Sequence, residues 1–327
     1  MDTLIKKMYG LEVKMIKSVA TGAGSNVYLI ETNHGQYIFK NITINNMNSP
    51  QNEPIILETL SEYGIPVAKL IKNIDGEYVW KDECGKVYHM QEYISGVTLE
   101  INQAPDWLMR ESARILGRIH KALKSLSNLP IGIGENFFKY MTPEKAKSSY
   151  YCTLELFQQD GEFSVVNDLK YRIEMLSCLR DVSLDLGQFT RTNTHGDYFI
   201  SQIICGENKI NAVVDWTTAC VHPICWEIIR SYTYSDPKCI DGQIDVECLK
   251  KYVGEYLKEY ELKEYDLAMM PYLYFYQLGV CDYYNQYYNA TTNNKHIFLH
   301  QAQFSTLLLK WFEKNVYKLS EDLRRAF

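Results

Sequence analysis

The sequence has no long apolar run, no leader-like start and no excess of positive charge, and each absence excludes a class of protein. The most apolar stretch, residues 268–281, contains Pro271 and is too short to span a membrane. The N-terminal residues hold no apolar run of signal-peptide length. The formal net charge of −6 argues against nucleic acid as the main partner, because nucleic-acid-binding domains usually carry a basic face. We therefore expect neither nucleic-acid binding nor membrane insertion.

Paired cysteines and a biased composition are also missing. The nine cysteines are odd in number, scattered and without a C-x-x-C pair. A chain of 327 residues buries enough surface to be stable without disulfides, so we expect reduced thiols and a cytoplasmic location. Hydrophobic residues make up 46% and charged residues 23%, which excludes a disordered or collagen-like chain. The length predicts about two domains.

The first part of the chain carries short β-prone runs and one helical pattern. Two β-prone runs within residues 27–40 flank the turn signal Asn33-His34-Gly35, which predicts a hairpin. A helix is predicted over residues 54–63, and a second hairpin over residues 78–94. These patterns predict a small β-rich domain over residues 1–95.

The rest of the chain is mainly helical in pattern. Apolar residues recur at helical spacing from Asp106 onward, with Asp106 as the predicted N-cap. Residues 141–185 and 223–327 continue this pattern, and one hairpin over residues 200–214 interrupts it. A larger helical domain is therefore predicted over residues 96–327. The fold class is α+β, with a cleft between the two parts.

One segment places oxygen-bearing side chains at a spacing that phosphoryl transfer needs. Asp197 follows His195 by two positions, Gln202 follows Asp197 by five, and Asp215 comes after the predicted hairpin. Phosphoryl transfer needs a carboxylate that orients or deprotonates the attacking hydroxyl, and further oxygen ligands for magnesium on the ATP phosphates. The protein-kinase catalytic loop has the same spacings. The pattern predicts Asp197 as the catalytic group and Gln202 and Asp215 as metal ligands.

These residues also carry a resemblance to a known family. His195-Gly196-Asp197-Tyr198, followed by Val213-Val214-Asp215-Trp216, resembles the signature of the aminoglycoside phosphotransferase and choline kinase superfamily, which includes spore-coat-associated kinase-like relatives. Ala219, Pro223 and Glu227 resemble the continuation of that signature. The resemblance covers most of the chain. It implies a protein-kinase-like two-lobe fold and an ATP- and Mg²⁺-dependent phosphotransferase that acts on a hydroxyl of a small molecule.

One position departs from the family pattern. The family usually has asparagine where this chain has Gln202. The glutamine amide carries the same carbonyl oxygen on a longer arm, so it either still binds magnesium or weakens the second metal site. The alternative function is therefore a catalytically weak kinase-like protein that binds a ligand or has a structural role.

The resemblance extends to a phosphate-binding set in the first domain. Gly22-Ala23-Gly24-Ser25 resembles the loop that covers the ATP phosphates, where backbone N–H groups must approach closely. Lys40, at the end of the next predicted strand, resembles the lysine that pairs with the α- and β-phosphates. Its partner is expected to be Glu53. Because Pro54 favours the first helical turn and so puts Glu53 at the helix start, Glu58 is the alternative partner.

Three further assignments follow from the resemblance. Residues 90–96 resemble the hinge, which implies that adenine bonds to the carbonyl of Gln91 and the N–H of Tyr93. His195 is expected to support the catalytic loop by hydrogen bonds. His120 is expected to be a packing or hydrogen-bonding residue.

The acceptor is expected between the catalytic loop and the C-terminal helices, but its identity stays open. Aminoglycosides need an acidic wall, and choline needs aromatic faces for its ammonium group. The candidate acids are Glu155, Asp160 and Glu162. The candidate aromatic residues fall within residues 272–288, around the single acid Asp282. The preference for ATP over GTP and the oligomeric state also stay open.

Overall fold

An antiparallel sheet forms the N-terminal part of the molecule. The computed structural model describes residues 1–19, 25–42, 49–127, 129–130, 138, 141–180, 182–290 and 294–327, with the side chain of Ser25 outside this description. The elements of the N-terminal part are α1 (Asp2–Tyr9), β1 (Val13–Ser18), β2 (Ser25–Thr32), β3 (Gln36–Ile42), α2 (Glu53–Glu62), β4 (Leu70–Ile71), β5 (Val79–Lys81) and β6 (Val87–Glu92). The strand order is β1-β2-β3-β6-β4, and β5 pairs with β6. Both predicted hairpins are therefore present.

The two faces of this sheet have different neighbours. Phe39 on β3 is fully buried, stacks on Tyr88 with ring centroids 5.5 Å apart and meets Tyr9 of α1 edge-on. Because side chains alternate along a strand, the next residue, Lys40, points to the opposite face. Helix α1 thus covers one face, and the other face carries Lys40 toward the C-terminal part of the chain.

The C-terminal part consists of helices and two short antiparallel strand pairs. Its helices are α3 (Asp106–Leu123), α4 (Pro143–Asp160), α5 (Phe163–Leu179), α6 (Ile224–Ser235), α7 (Val246–Leu257), α8 (Glu264–Val280), α9 (Tyr283–Asn289) and α10 (Lys295–Ala326). Its strands are β7 (Arg191–Thr194), β8 (Ile203–Gly206), β9 (Lys209–Val213) and β10 (Cys220–Pro223). β8 pairs with β9, and β7 pairs with β10. The predicted α+β architecture, β-rich first and helical afterwards, is confirmed.

The connection between the two parts lies on the β8–β9 hairpin. Val97 and Cys205 exchange both backbone hydrogen bonds, at 2.9 and 2.8 Å. Gly96 has φ 148°, and a Cβ there would lie 2.5 Å from the carbonyl oxygen of Cys205. A side chain at this position would clash with backbone, so glycine is required. On the other side, the N–H of Val213 donates to the carbonyl of Pro66. These hydrogen bonds place the N-terminal part of the chain next to the segment that carries Asp215.

Three local expectations were wrong or incomplete. Asp106 is the first residue of α3 and not its N-cap; Pro105 takes the N-cap position with an extended backbone. Residues 200–202 form a 3₁₀ turn before β8 instead of the start of a strand. The helical stretch around residues 141–185 is divided at Gly161, which adopts the left-handed conformation that ends α4.

The most apolar stretch of the sequence, residues 268–281, lies in α8 up to the end of that helix at Val280. None of the described helices combines the length and apolarity needed to cross a membrane.

Candidate active site

The loop after β7 carries Asp197 on a backbone that only glycine permits. Gly196 has φ 83°, and a Cβ there would lie 2.0 Å from the carbonyl oxygen of Thr218. The loop therefore packs against the segment that follows Asp215. This close approach explains why a glycine stands directly before Asp197.

His195 connects the two predicted acidic segments. Its Nε2 lies 3.0 Å from the carbonyl oxygen of Val214, and its Nδ1 lies 3.3 Å from the N–H of Asp197. The neutral ring satisfies both contacts when Nε2 carries the proton and donates, and Nδ1 accepts. His195 supports the loop through hydrogen bonds, as expected.

Glu227 in the first turn of α6 fixes the backbone of the same loop. Its Oε1 accepts from the N–H of Gly196 at 2.6 Å and of Tyr198 at 3.4 Å, and its Oε2 accepts from the N–H of His195 at 3.3 Å. Its Oε2 also lies 2.9 Å from Nε2 of His120. The carboxylate is fully buried. Burial alone would raise the pKa of Glu227, but the hydrogen bond and charge of His120 outweigh it and lower that pKa.

Sequence reasoning found Glu227 only as part of a resemblance, and its role as the anchor of the loop was missed. The usable signal was an acid in the first turn of a helix directly after Pro223. His120 is a buried hydrogen-bonding residue, as expected, with Nδ1 2.8 Å from the hydroxyl of Tyr256.

Lys40 and Asp215 meet across the cleft. Nζ of Lys40 lies 3.4 Å from Oδ1 of Asp215, whose side chain is 40% exposed. Asp215 has φ 70°, a left-handed conformation that turns its carboxylate toward the cleft. Burial would lower the pKa of Lys40, but Asp215 and Glu53 outweigh it and raise that pKa. The charge of Lys40 in turn lowers the pKa of Asp215. Both groups are therefore charged at neutral pH.

Glu53 and Glu58 have different surroundings. Glu53 is the first residue of α2 and is buried, whereas Glu58 is exposed. Oε2 of Glu53 lies 3.0 Å from Nδ1 of His89, but the two atoms are not aligned as a hydrogen bond. Of the two acids, Glu53 is the one whose charge raises the pKa of Lys40, so Glu53 stays the predicted partner of that lysine.

Asp197 is held by an arginine that the sequence analysis did not single out. Nη2 of Arg230 lies 2.7 Å from Oδ1 of Asp197. Arg230 follows Glu227 by three positions on α6, so both side chains reach the same loop from one helix face. Burial raises the pKa of Asp197, and Arg230 opposes that rise without cancelling it. The signal that could have found Arg230 is this spacing to Glu227.

Gln202 lies beside the loop that carries Asp197. Its side-chain Nε2 donates to Oδ2 of Asp197 at 3.5 Å, the limit of a hydrogen bond, and its backbone carbonyl accepts from the N–H of Val214. The described contact of its side chain is therefore with Asp197. That its amide oxygen faces Asp215 stays a prediction.

The remaining nucleotide-site predictions fall partly outside the described residues. Gly22 and Gly24 lie outside them, and Ser25 is described only in its backbone, as the first residue of β2. Gln91 is buried on β6, between Ile38 and Leu70 in the strand register. Tyr93, 39% exposed, follows the end of β6. The structure thus brings Lys40, Glu53, Asp197, Gln202 and Asp215 together and carries Gln91 and Tyr93 on the connection between the two parts.

The donor set fits an open magnesium site. The described residues contain no group of three or more His, Cys, Asp or Glu that could hold a metal by itself. Magnesium usually binds one or two carboxylates together with substrate phosphates and keeps several waters. Asp215 is partly exposed, and its Oδ1 has two long contacts, with Nζ of Lys40 and with the hydroxyl of Thr217, each at 3.4 Å. Its carboxylate therefore suits that role, with the Gln202 amide as a second oxygen donor.

A cavity of about 310 Å³ opens next to Asp197. It lies between the catalytic loop and α6, α8, α9 and α10, where the acceptor was expected. Its lining includes Asp197, Trp226, Arg230, Gln277, Asp282, Tyr283, Gln286 and Gln301. Asp282 and Tyr283, from the aromatic candidates, belong to it. The acids Glu155, Asp160 and Glu162 do not appear among its described lining residues.

Comparison with known proteins identifies the same architecture. Residues 16–262 match the profile of a family described as the phosphotransferase enzyme family. An amicoumacin kinase in complex with AMP-PNP, Ca²⁺ and Ami is 15% identical, with 97% of this chain and 92% of that chain covered and a TM-score of 0.60. The spectinomycin phosphotransferase APH(9)-Ia, in complex with ADP and spectinomycin, is 12% identical, with 100% of this chain and 98% of that chain covered and a TM-score of 0.58. A microcompartment-associated aminopropanol kinase is 13% identical, with 93% of each chain covered and a TM-score of 0.62. No curated protein sequence matches significantly. At such identities the structures show the fold, and the expected protein-kinase-like fold is confirmed.

Proposed function

The chain belongs to the phosphotransferase enzyme family, and from this premise we propose that it transfers the γ-phosphate of ATP, with Mg²⁺, to a hydroxyl of a small molecule. The observation that carries the proposal is the convergence of Lys40, Asp215 and Asp197 in one cleft beside an open cavity. In this proposal residues 1–95 form the nucleotide lobe, and residues 96–327 form the lobe that holds the catalytic loop and the acceptor.

The nucleotide side of the proposal rests on charge and backbone geometry. Lys40, kept charged by Asp215 and Glu53, pairs with the α- and β-phosphates under the loop that contains Gly22, Gly24 and Ser25. Adenine bonds to the carbonyl of Gln91 and the N–H of Tyr93. Both of these contacts use backbone atoms, so they put little demand on the side chains.

Asp215 and Gln202 are the proposed magnesium ligands. When bound, the metal neutralises charge on the phosphate oxygens. Asp215 is suited to this role because its low pKa keeps the carboxylate ionised, and its side chain is accessible from the cleft. The charge of Lys40 lies beside Oδ1 of Asp215, so Lys40 and a metal bound to Asp215 would both bind the phosphates.

Asp197 is the proposed group that orients the acceptor hydroxyl and takes its proton. Arg230 holds Oδ1, whereas the contact that the described residues give Oδ2 is the long one with Gln202, so Oδ2 is the oxygen available to a hydroxyl in the cavity. Phosphoryl transfer passes through a loose transition state, so most of the rate comes from positioning and charge neutralisation. Glu227 contributes by fixing the loop backbone on both sides of Asp197.

The test is ATP turnover with and without Mg²⁺ over a panel of small hydroxy compounds, namely aminoglycosides, choline, ethanolamine, homoserine and sugars. Asp197→Asn keeps the shape of the side chain and removes its charge. We expect it to lower phosphate transfer at least about 10²-fold and to leave ATP affinity nearly unchanged. Wild-type transfer rates in this variant, with an acceptor that the wild type phosphorylates, would contradict the mechanism.

A second candidate function is a kinase-like protein that binds ligands with little turnover. It is favoured by one observation: both oxygens of Asp197 already have protein partners, Arg230 on Oδ1 and Gln202 on Oδ2. The same panel separates the two functions. Nucleotide binding by calorimetry, without transfer to any compound of the panel, would favour this candidate.

A further inference from the structure

Arg230 sits inside a cage of aromatic rings. The centre of its guanidinium lies 4.8 Å from the ring centroid of Tyr234, 5.0 Å from that of Phe199 and 5.4 Å from that of Trp226. Such a cage is the arrangement that holds organic ammonium ions in many binding sites. Here the chain's own side chain fills it, and Trp226 and Arg230 both line the cavity next to Asp197.

The acids of the cavity are also engaged by the protein. The carboxylate of Asp197 pairs with Arg230. The carboxylate of Asp282 accepts hydrogen bonds from Ser149 Oγ at 2.8 Å and from Asn285 Nδ2 at 3.0 Å. Among the described lining residues these are the two acids. Both of these carboxylates are therefore already bound by protein groups, Asp197 by a cation and Asp282 by two neutral donors.

A second buried guanidinium lies behind the cavity wall. Arg172 is 1% exposed, and its Nη1 lies 3.6 Å from Sγ of Cys281, which lines the cavity. Its described hydrogen-bond partners, namely Thr306, Ser305, Tyr150 and the carbonyl of Leu278, are all uncharged. Among the described residues the cavity thus has one guanidinium in its wall and another behind it, and its uncharged polar lining includes the amides of Gln277, Gln286 and Gln301 and the hydroxyls of Thr218 and Tyr283. Amides offer donors and acceptors that suit hydroxyl groups.

We propose, as a refinement that rests on the proposed function, that Arg230 is a built-in cation that closes the acceptor site to positively charged groups. The acceptor class is then small hydroxy compounds that carry no ammonium group near the reacting hydroxyl. This separates the chain from relatives whose acceptors are amines, although the fold is shared.

The first experiment compares two probes of nearly the same shape, choline and 3,3-dimethyl-1-butanol, which differ in one positive charge. Their binding to the wild-type protein is measured by ligand-observed NMR in the absence of nucleotide. We expect the uncharged alcohol to bind at least about tenfold more tightly, because Arg230 already fills the aromatic cage and pairs with the Asp197 carboxylate. Equal affinities, or tighter binding of choline, would overturn the proposal.

The second experiment empties the cage. Arg230→Ala leaves the three aromatic rings and the Asp197 carboxylate without their shared cation, so we expect this variant to gain affinity for tetramethylammonium and methylguanidinium. The gain is measured as a rise in thermal midpoint over sodium chloride at equal ionic strength. Arg230→Lys, which keeps a positive charge in the cage, is the matched control and should respond as the wild type does. No response of Arg230→Ala, or an equal response of the wild type, would overturn the proposal.

These binding measurements are independent of turnover. If the probe preference holds and no phosphate transfer is found, the proposed function fails and the cation-excluding site stands. If transfer is found and amine-bearing acceptors are preferred, the refinement fails and the proposed function stands.

Discussion

Two acid–cation pairs lie in the cleft, and they differ in what holds them. The pair Lys40–Asp215 joins the N-terminal sheet to the C-terminal part over 3.4 Å, with the acid side chain 40% exposed. The pair Arg230–Asp197 lies within the C-terminal part over 2.7 Å, and aromatic rings surround the cation. A small displacement of one part relative to the other changes the first distance but not the second. The Lys40–Asp215 distance thus depends on how the two parts of the chain are placed, whereas the Arg230–Asp197 distance depends on the C-terminal part alone.

The pKa values of the two acids follow the same division. The pKa of Asp215 is lowered because the charge of Lys40 exceeds the cost of burial. The pKa of Asp197 is raised because burial exceeds the effect of Arg230. An acid with a low pKa suits a metal or phosphate site, and one with a raised pKa suits proton transfer. The two environments therefore move the pKa values of two aspartates in opposite directions, which agrees with the two roles proposed above.

The largest expected effect comes from removing Glu227, which fixes the backbone of the loop that carries Asp197. Glu227→Ala leaves three backbone N–H groups and the His120 ring without their acceptor, so we expect a loss of about 3–5 kcal/mol in the free energy of unfolding. Urea denaturation at neutral pH measures this loss. Glu247→Ala is the control, because Glu247 is exposed and pairs only with Lys250, and it should change stability by less than about 1 kcal/mol.

The pH dependence of this effect has a definite sign. The folded pKa of Glu227 is lowered, so its contribution to stability is complete above the unfolded value of about 4.3 and is lost as pH falls through the lower folded pKa. The difference between wild type and Glu227→Ala should therefore shrink in acid. A difference that grows as pH falls would contradict the role of the carboxylate as an ionised anchor.

A smaller effect is expected from breaking the pair Lys40–Asp215. Lys40→Ala removes the cation that meets Asp215, and we expect ATP affinity to fall at least about tenfold, because charged hydrogen bonds to phosphate are lost. Isothermal titration calorimetry measures the affinity. Lys209→Ala, at an exposed lysine of the β8–β9 hairpin, should bind ATP as the wild type does. Unchanged ATP binding by Lys40→Ala would remove Lys40 from the nucleotide site.

The smallest effect is expected at Gln202, whose side chain contacts Asp197. Gln202→Asn shortens the side chain and keeps its amide, so we expect phosphate transfer to be retained or raised, with any loss below about 1 kcal/mol of transition-state stabilisation. Steady-state transfer at several magnesium concentrations measures it. Complete loss of activity would contradict this expectation. It would mean that the longer glutamine side chain, which contacts Asp197, is required.

The short-range features of the molecule could be predicted from the sequence, because they depend on neighbours along the chain. The hairpins around Gly35 and Asn208, and the helix that begins near Pro54, follow from turn residues and periodicity. The spacing of His195, Asp197 and Asp215 is likewise a property of one strand–loop–hairpin unit. The choice between Glu53 and Glu58 could not be made this way, because it depends on where α2 lies over β6 and the cleft.

The sequence by itself determined the family and located the segment around Asp197 that we propose to be catalytic, since both depend on residues at fixed spacing in one stretch of the chain. The tertiary structure alone decided which cation holds Asp197, which rings surround that cation and which helices enclose the cavity. Arg230, Phe199 and Gln301 come from elements that are far apart in the chain, and nothing in their own periodicity requires them to meet. Their contacts arise when α6, α8, α9 and α10 bury their apolar faces against one another, and the polar side chains that face the cavity are fixed only by that packing.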